Sequence, residues 1–284
     1  MDHDPGPANW FKSLLISVYL LELVGASAIT ALGYVACRIL QIAWMPSAPL
    51  WFAGYLLVYN LDHLYSDAAD NMNTQLRFRW SARLQPCRSV LVWLSGAILL
   101  FWPPVTGRLW LLVPLAVALS VFHFYSRPIP STGFRFKNLS YVKSLIAPAV
   151  IAVVLVLWPL LETGRGPRQK EWLVFFLVFL VLTMNSLVFD YRDIIGDRVT
   201  GTKTIPTLLG HERTRALLFL VAGALVFTTI ALSWLGLASA LMPGALSIGC
   251  IVLLLSLRFR MQPVLLSLLA DLLLLLPAIV ELLR

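Results

Sequence analysis

Three carboxylates close the apolar run that ends in NSLVFDYRDIIGDRVTGTKTIPTLLG: Asp190, Asp193 and Asp197. Spaced three and four residues apart, they fall on one stripe if the helix continues past Asp190. Carboxylates so close repel one another, and a divalent cation relieves the repulsion. Their oxygens suit Mg²⁺, which keeps several waters and is commonly shared with phosphate oxygens rather than caged by protein. A plainer reading stands beside this one: a solvated helix end, with Arg192 and Arg198 as ion-pair partners.

A second acidic segment, VYNLDHLYSDAADNMNTQLRFRW, sets Asn60, His63, Asp67 and either Asp70 or Asn71 along one helical face, followed by Arg77 and Arg79. Between the two segments, FYSRPIPSTGFRFKNLSYVKSLIAPAV supplies Arg127, Arg135, Lys137 and Lys143. Lys143 lies just inside an apolar run and needs an anion; a diphosphate serves, and snorkelling to lipid head groups is the alternative. Acidic clusters with cations between them are the groups needed to hold metal ions against one diphosphate. If that diphosphate is a leaving group, Mg²⁺ and fixed cations neutralise the charge that develops as its C–O bond breaks, and a lipid tail lies among the helices. Tyr125, Tyr141 and Tyr191 are candidates to line the pocket and face a carbocation. Glu22 and Asp271 are the deepest acids, with His123 and Asn185 the other buried polar candidates, to bind or deprotonate an acceptor or to bridge helices.

The elements that must position these groups are apolar and long. With 59% apolar and 13% charged residues in 284, a water-soluble globular domain is excluded and a membrane protein indicated. Taking about 20 residues per crossing, the runs predict nine spans, near 12–38, 48–66, 88–105, 108–126, 140–161, 171–190, 214–235, 238–257 and 263–283. Nine spans put sixteen of the 22 Lys and Arg on one side, the side of the N-terminus and both aspartate segments, which is therefore expected to be cytoplasmic. Trp44, Trp51, Trp102, Trp110, Trp158, Trp172 and Trp234 fall near span ends on the other side, as an interfacial belt would. The net charge of +8 sits in short loops, which points to anionic lipid or substrate and not to nucleic acid. Cys37, Cys87 and Cys250 have no metal or disulfide spacing and read as packing residues. No removable signal peptide and no separate soluble unit is read, so residues 1–284 are expected to form one domain.

The two basic and acidic segments carry a resemblance. DYRDIIGDRVTGTKTIPTLLG resembles the second aspartate motif of the UbiA superfamily of intramembrane prenyltransferases, in which D-x-x-x-D runs into G-x-[KR]-[ST] and Leu-Gly; the matching residues are Asp193, Asp197, Gly201, Lys203, Thr204 and Gly210. YSRPIPSTGFRFKNLSYVKSL is similar to the family's loop between spans 4 and 5, with Tyr125, Lys137 and Lys143 in the matching places. The first motif, N-D-x-x-D-x-x-x-D in the family, departs here: aligned on Asp67 it reads His63, Asp67 and Asn71, with Asp70, Asp62 and Asn60 as available substitutes. The family's Arg-Pro start to span 1 is missing, and Glu22 has no basic neighbour in its run.

The resemblance implies an all-α polytopic membrane bundle, nine helices around a central cavity open at the cytoplasmic side. It implies Mg²⁺-dependent transfer of a prenyl group from an isoprenoid diphosphate to a lipophilic, aromatic acceptor, in contact with membrane lipids. Asp67, Asp193 and Asp197 are the expected catalytic metal ligands, with Asp70 and Asp190 beside them. Lys137, Lys143, Arg198 and Lys203 would grip the diphosphate, and Tyr125 and Asn60 would face substrate. An intramolecular terpene cyclase on the same scaffold and a non-catalytic lipid-binding or transport protein are the alternatives. Most charges gather at one face and the prolines stand alone, unlike the paired helix interruptions of a transporter.

Overall fold

The structure, a computed structural model, describes residues 7–43, 46–64, 75–126, 142–199, 201–258 and 263–284. Among these residues every regular element is helical, as a chain in hydrocarbon requires if its backbone is to satisfy itself. Helix α1 spans Pro7–Leu20, α2 Leu23–Leu40, α3 Ala48–Leu64 and α4 Gln75–Val105. A 3₁₀ turn, Leu109–Leu111, leads into α5, Leu112–Ser126. Helix α6, Val142–Ala152, passes through a π segment, Val153–Leu157, into α7, Trp158–Glu162. Then come α8 (Gln169–Arg192), the short α9 (Ile194–Val199), α10 (Ile205–Trp234), α11 (Leu241–Arg258) and α12 (Pro263–Leu282). Among the described residues, helix thus occupies part of each of the nine apolar runs. Among the described residues six helices are long and apolar enough to cross a membrane, and Leu109–His123 and Leu241–Leu255 are shorter apolar helices, so the chain is built as an integral membrane protein.

Helix α8 lies at the centre, packed against α2, α6, α10 and α12, while α2 also packs on α3 and α12. The core runs through these contacts: Leu32 and Ala36 of α2, Val178 and Met184 of α8, Leu218 of α10 and Ala270 of α12 are all but inaccessible. Helix α4 packs chiefly on α3 and keeps its other faces outward. Its apolar window is 22% buried against 61% for α2, so Trp93, Phe101 and Leu94 are presented to lipid. Trp234, Phe227 and Trp172 are exposed in the same way.

Three features depart from the sequence reading. The first run is broken: α1 stops at Leu20, Glu22 adopts a left-handed conformation (φ 65°, ψ 16°), and α2 starts at Leu23. No Gly or Pro marks the place. The Asn60 amide donates to the Leu21 carbonyl (3.2 Å) and the Arg88 guanidinium to that of Leu20 (3.4 Å), so partners from α3 and α4 receive the carbonyls freed by the break. Second, Trp51 and Trp158, expected in an interfacial belt, are 3% and 6% exposed and face inward. The Trp51 ring fills the space over Gly33, where an ideal Cβ would come within 2.5 Å of it, so the small residue on α2 draws the indole in. Third, His123, read as buried, is exposed on α5.

Candidate functional site

The segment from Asp190 to Gly210 is a chain of helix stops and starts. Helix α8 ends at Arg192, and Asp193 caps it in the bridge region (φ −90°, ψ 6°), its N–H still donating to the Phe189 carbonyl at 3.0 Å. One turn later Asp197 lies in α9, which closes in a Schellman motif: Thr202 N–H donates to Asp197 O (2.8 Å) and Gly201 N–H to Arg198 O (3.3 Å). Gly201, at φ 71°, supplies the left-handed residue such a stop requires. Helix α10 then opens on a capping box, in which the Thr204 hydroxyl accepts from Thr207 N–H while the Thr207 hydroxyl accepts from Thr204 N–H (2.8 Å). Lys203 sits exposed between stop and start, and Arg198 is exposed on α9.

The expected stripe of three carboxylates is not formed, because the helix breaks at Asp193. Asp190 is 4% exposed and turns onto α6, accepting from the Ser144 hydroxyl at 2.5 Å; Ser144 in turn accepts from Ile205 N–H (3.4 Å) and joins three helices. Asp193 takes a two-pronged ion pair from its neighbour Arg192, Nε to Oδ1 and Nη2 to Oδ2, both 2.7 Å. Arg192 also bonds the Ser267 hydroxyl on α12 and lies over the Phe189 ring. Asp197 is 3% exposed. Among the described residues no three His, Cys, Asp or Glu side chains converge as a ready metal site. Asp67, Asp70 and Lys137 lie outside the described residues, as do Tyr141 and Asn71. Tyr125 and Lys143 stand on helices, in the last turn of α5 and the first turn of α6.

A second polar group collects at the break between α1 and α2. Glu22, which has no basic neighbour along the chain, meets His63 of α3 at 2.8 Å, with both side chains nearly enclosed. Asn60, expected to face substrate, is fully buried with its amide nitrogen held by Leu21 and Leu56 carbonyls; its Oδ1 has no hydrogen-bond partner among the described residues. Asp271 and Asn185 approach each other at 3.5 Å. Tyr59 stacks on Tyr55 (ring centroids 4.2 Å apart) and lies within electrostatic reach of Glu22 and Asp271, while Arg192 lies within reach of Glu22 and Tyr19. The break therefore adjoins the aspartate end of α8. Tyr191, a candidate pocket ring, instead meets His211 edge-on at 5.0 Å.

Away from the carboxylates is an apolar, partly open cavity walled by α2, α3, α5 and the α6–α7 helix. Tyr59 stands at one end of its α3 wall and Leu50 at the other, with Phe122 and Leu115 across from them on α5. Nine steps along α3 from Leu50 to Tyr59, at 1.5 Å rise each, make the wall roughly 14 Å long. Val154, Leu155 and Trp158 come from the π segment and its exit. Sequence reasoning did not single out Ser144 or Glu162, and it read Trp158 as an interfacial residue. The only written signal was a Glu four residues after a Trp at the end of an apolar run.

No protein-family model matches the sequence, and no curated protein matches it. By structure the chain is similar to a UbiA homolog from Aeropyrum pernix K1, solved in its apo form. The TM-score is 0.60 and the identity 16%, over 90% of this chain and 98% of that one. The chain has the fold of that UbiA homolog over nearly its whole length.

Proposed function

We propose that this chain is a divergent member of the UbiA superfamily and moves a prenyl group from an isoprenoid diphosphate to a lipophilic, aromatic acceptor within the membrane. In this reading it is one domain of nine spans, with the aspartate end at the cytoplasmic face and the cavity reached from there. The observation that carries it is the Asp193–Gly210 segment: two carboxylates one turn apart beside a helix break, then a glycine stop that leaves Lys203 exposed next to them.

Carboxylate oxygens are donors of the kind Mg²⁺ takes. A carboxylate offers about four lone-pair positions, and Arg192 takes one on each oxygen of Asp193, leaving capacity on both. Asp193, Asp197 and Asp67 would hold the ion, with Asp190 and Asp70 as further ligands. Bound there, Mg²⁺ would neutralise the diphosphate as the C–O bond breaks. Arg192 fixes the direction of the Asp193 carboxylate, so it is oriented before substrate arrives. Lys203, Arg198, Lys143 and Lys137 would bind diphosphate oxygens, Tyr125 would flank the reacting carbon, and the tail would enter the apolar cavity past Tyr59. The buried Asn60 Oδ1 is an acceptor still owed a donor, which an acceptor hydroxyl would supply.

The test is diphosphate release by purified protein in detergent, given farnesyl or geranylgeranyl diphosphate and Mg²⁺, with and without an extract of membrane lipids and phenolic acids. Release that needs both Mg²⁺ and extract is expected. Asp193→Asn should lower it about a hundredfold, the scale on which a group that stabilises developing charge acts, in protein that still melts cooperatively. Undiminished release in that variant sinks the proposal. Terpene products without extract would make the chain a cyclase, and no release from folded wild type would leave a lipid binder.

A further inference from the structure

The end of the cavity opposite the aspartates is built with more care than a bundle end needs. Trp158 is the first residue after the π segment, whose extra residue per turn shifts the face on which later side chains fall. Trp158 lines the cavity, as Leu50 does at the end away from Tyr59, and with Leu50, Ala53, Leu99 and Leu111 forms a buried cluster separate from the main core. The indole N–H is turned away from the cavity: it donates to Glu162 Oε1 at 2.9 Å. That oxygen also accepts from the Ser47 hydroxyl (2.7 Å), and Oε2 accepts from Arg108 (3.0 Å). The Glu162 side chain is 7% exposed, and its donors come from the approach to α3, the approach to α5 and its own helix. A carboxylate with three donors on three segments has one available position, and an indole bonded to it has one orientation. Trp158 therefore presents only its hydrocarbon face to the cavity.

We propose that Trp158 is the floor of the cavity and determines the isoprenoid length this chain accepts, with Glu162 as the positioning residue that holds the floor in place. The inference rests on the prenyl-diphosphate reading for the identity of the occupant. A tail that reaches the indole is complete, and a longer one must displace a ring that is fastened on its far side. Removing the ring opens the space toward Leu99 and Leu111 to the next isoprenoid unit.

The experiment compares geranyl, farnesyl and geranylgeranyl diphosphates in wild type and in the Trp158→Ala, Trp158→Phe and Glu162→Ala variants. It reads diphosphate release and, separately, calorimetric binding of the unreactive farnesyl and geranylgeranyl thiolodiphosphates. Trp158→Ala should raise the longer-to-shorter preference about tenfold or more, as when a pocket gains room for added methylenes. Trp158→Phe, which keeps a ring on the floor, should stay within about twofold of wild type. Glu162→Ala should move the preference in the same direction by less, whereas a merely structural glutamate would lower the melting temperature and leave the preference alone. Trp158→Leu replaces the alanine variant if that one does not fold. An unchanged length preference in folded Trp158→Ala or Trp158→Leu, by release and by binding, overturns the proposal. If wild type releases no diphosphate yet the binding preference shifts, the floor stands and the catalytic reading falls.

Discussion

At the end of the bundle away from the aspartates, Glu162 accepts from Ser47, Trp158 and Arg108, and the buried Glu281 accepts from Ser239 N–H at 3.4 Å with Arg284 nearby. Left-handed residues occur there too, at Gln41, Gly107, Gly164 and Gly236. Each stops a helix, and in each case the next residue's N–H closes a six-to-one bond, such as Ile42 to Cys37 O at 2.8 Å or Leu237 to Leu232 O at 2.9 Å. At the aspartate end Gly201 follows the same pattern, with Thr202 N–H on Asp197 O, but two other residues do not. Glu22 takes its left-handed turn inside what the hydropathy reads as one span, and Gly210 leaves helical geometry (φ 76°, ψ 175°) inside α10. Asn60 keeps a buried acceptor without a donor, and Asp193 steps out of α8 to be held by the residue before it. One end buries charge as a fastener, on helix stops that are compensated. The other carries it on interrupted helices, where conformational cost is usually tied to function.

The largest effect expected from this contrast is on Glu162. Glu162→Ala leaves the indole N–H, the Ser47 hydroxyl and Arg108 without their acceptor. Losing a buried, multiply bonded carboxylate should cost about 3 kcal/mol, part of it recovered as Arg108 rehydrates. The check is denaturant or thermal unfolding in detergent followed by tryptophan fluorescence. If the variant unfolds with wild type, the closed end is not fastened by this residue and the contrast fails.

The second is smaller and tests the opposite end. Gly210 has open space where a Cβ would go, so Gly210→Ala meets no neighbour and its cost is conformational alone. At that φ and ψ an L-residue should lose about 2 kcal/mol. Gly210→Asn should not rescue it, because asparagine tolerates the left-handed helical region and not this one. At Gly201, a left-handed helix stop, asparagine should be better tolerated than alanine. Equal melting of Gly210→Ala and wild type would place α10 as one continuous helix and remove one of the two interruptions.

How much of this was legible follows from where the information sits. The helices were readable because each crossing is paid for by its own apolar run, and the turn after Asp197 because Gly201, Thr204 and Pro206 are local stop and start signals. The break at Glu22 was not: no Gly or Pro marks it, and what stabilises it comes from Asn60, His63 and Arg88, far along the chain. The plainer reading of the aspartate segment named Arg192 as an ion-pair partner, and it does pair with Asp193; adjacent residues diverge on a helix, so the two meet only because the helix has ended. Trp158 read as a belt residue because a tryptophan at a span end has the same sequence signature whether it faces lipid or a cavity. At the second motif the sequence set Asp193 and Asp197 one turn apart, as they are, but the stripe it drew through Asp190 required a helix that stops short.

The smallest expected effect is the sharpest, because it reverses a familiar order. Alanine is favoured over glycine by about 1 kcal/mol in a helix interior, and hydropathy places Glu22 in such an interior. Both Glu22→Ala and Glu22→Gly lose the contact with His63, so the difference between them reports the backbone alone. At φ 65° glycine avoids a Cβ clash worth roughly 1–2 kcal/mol. Its larger loss of chain freedom takes back about half of that. Glu22→Gly should therefore be the more stable of the pair by about 1 kcal/mol in paired unfolding curves. The reverse order would mean that α1 and α2 form one helix through Glu22. His63 would then be pairing with an ordinary helical glutamate, and the aspartate end would lose the interruption that most clearly separates it from the fastened end.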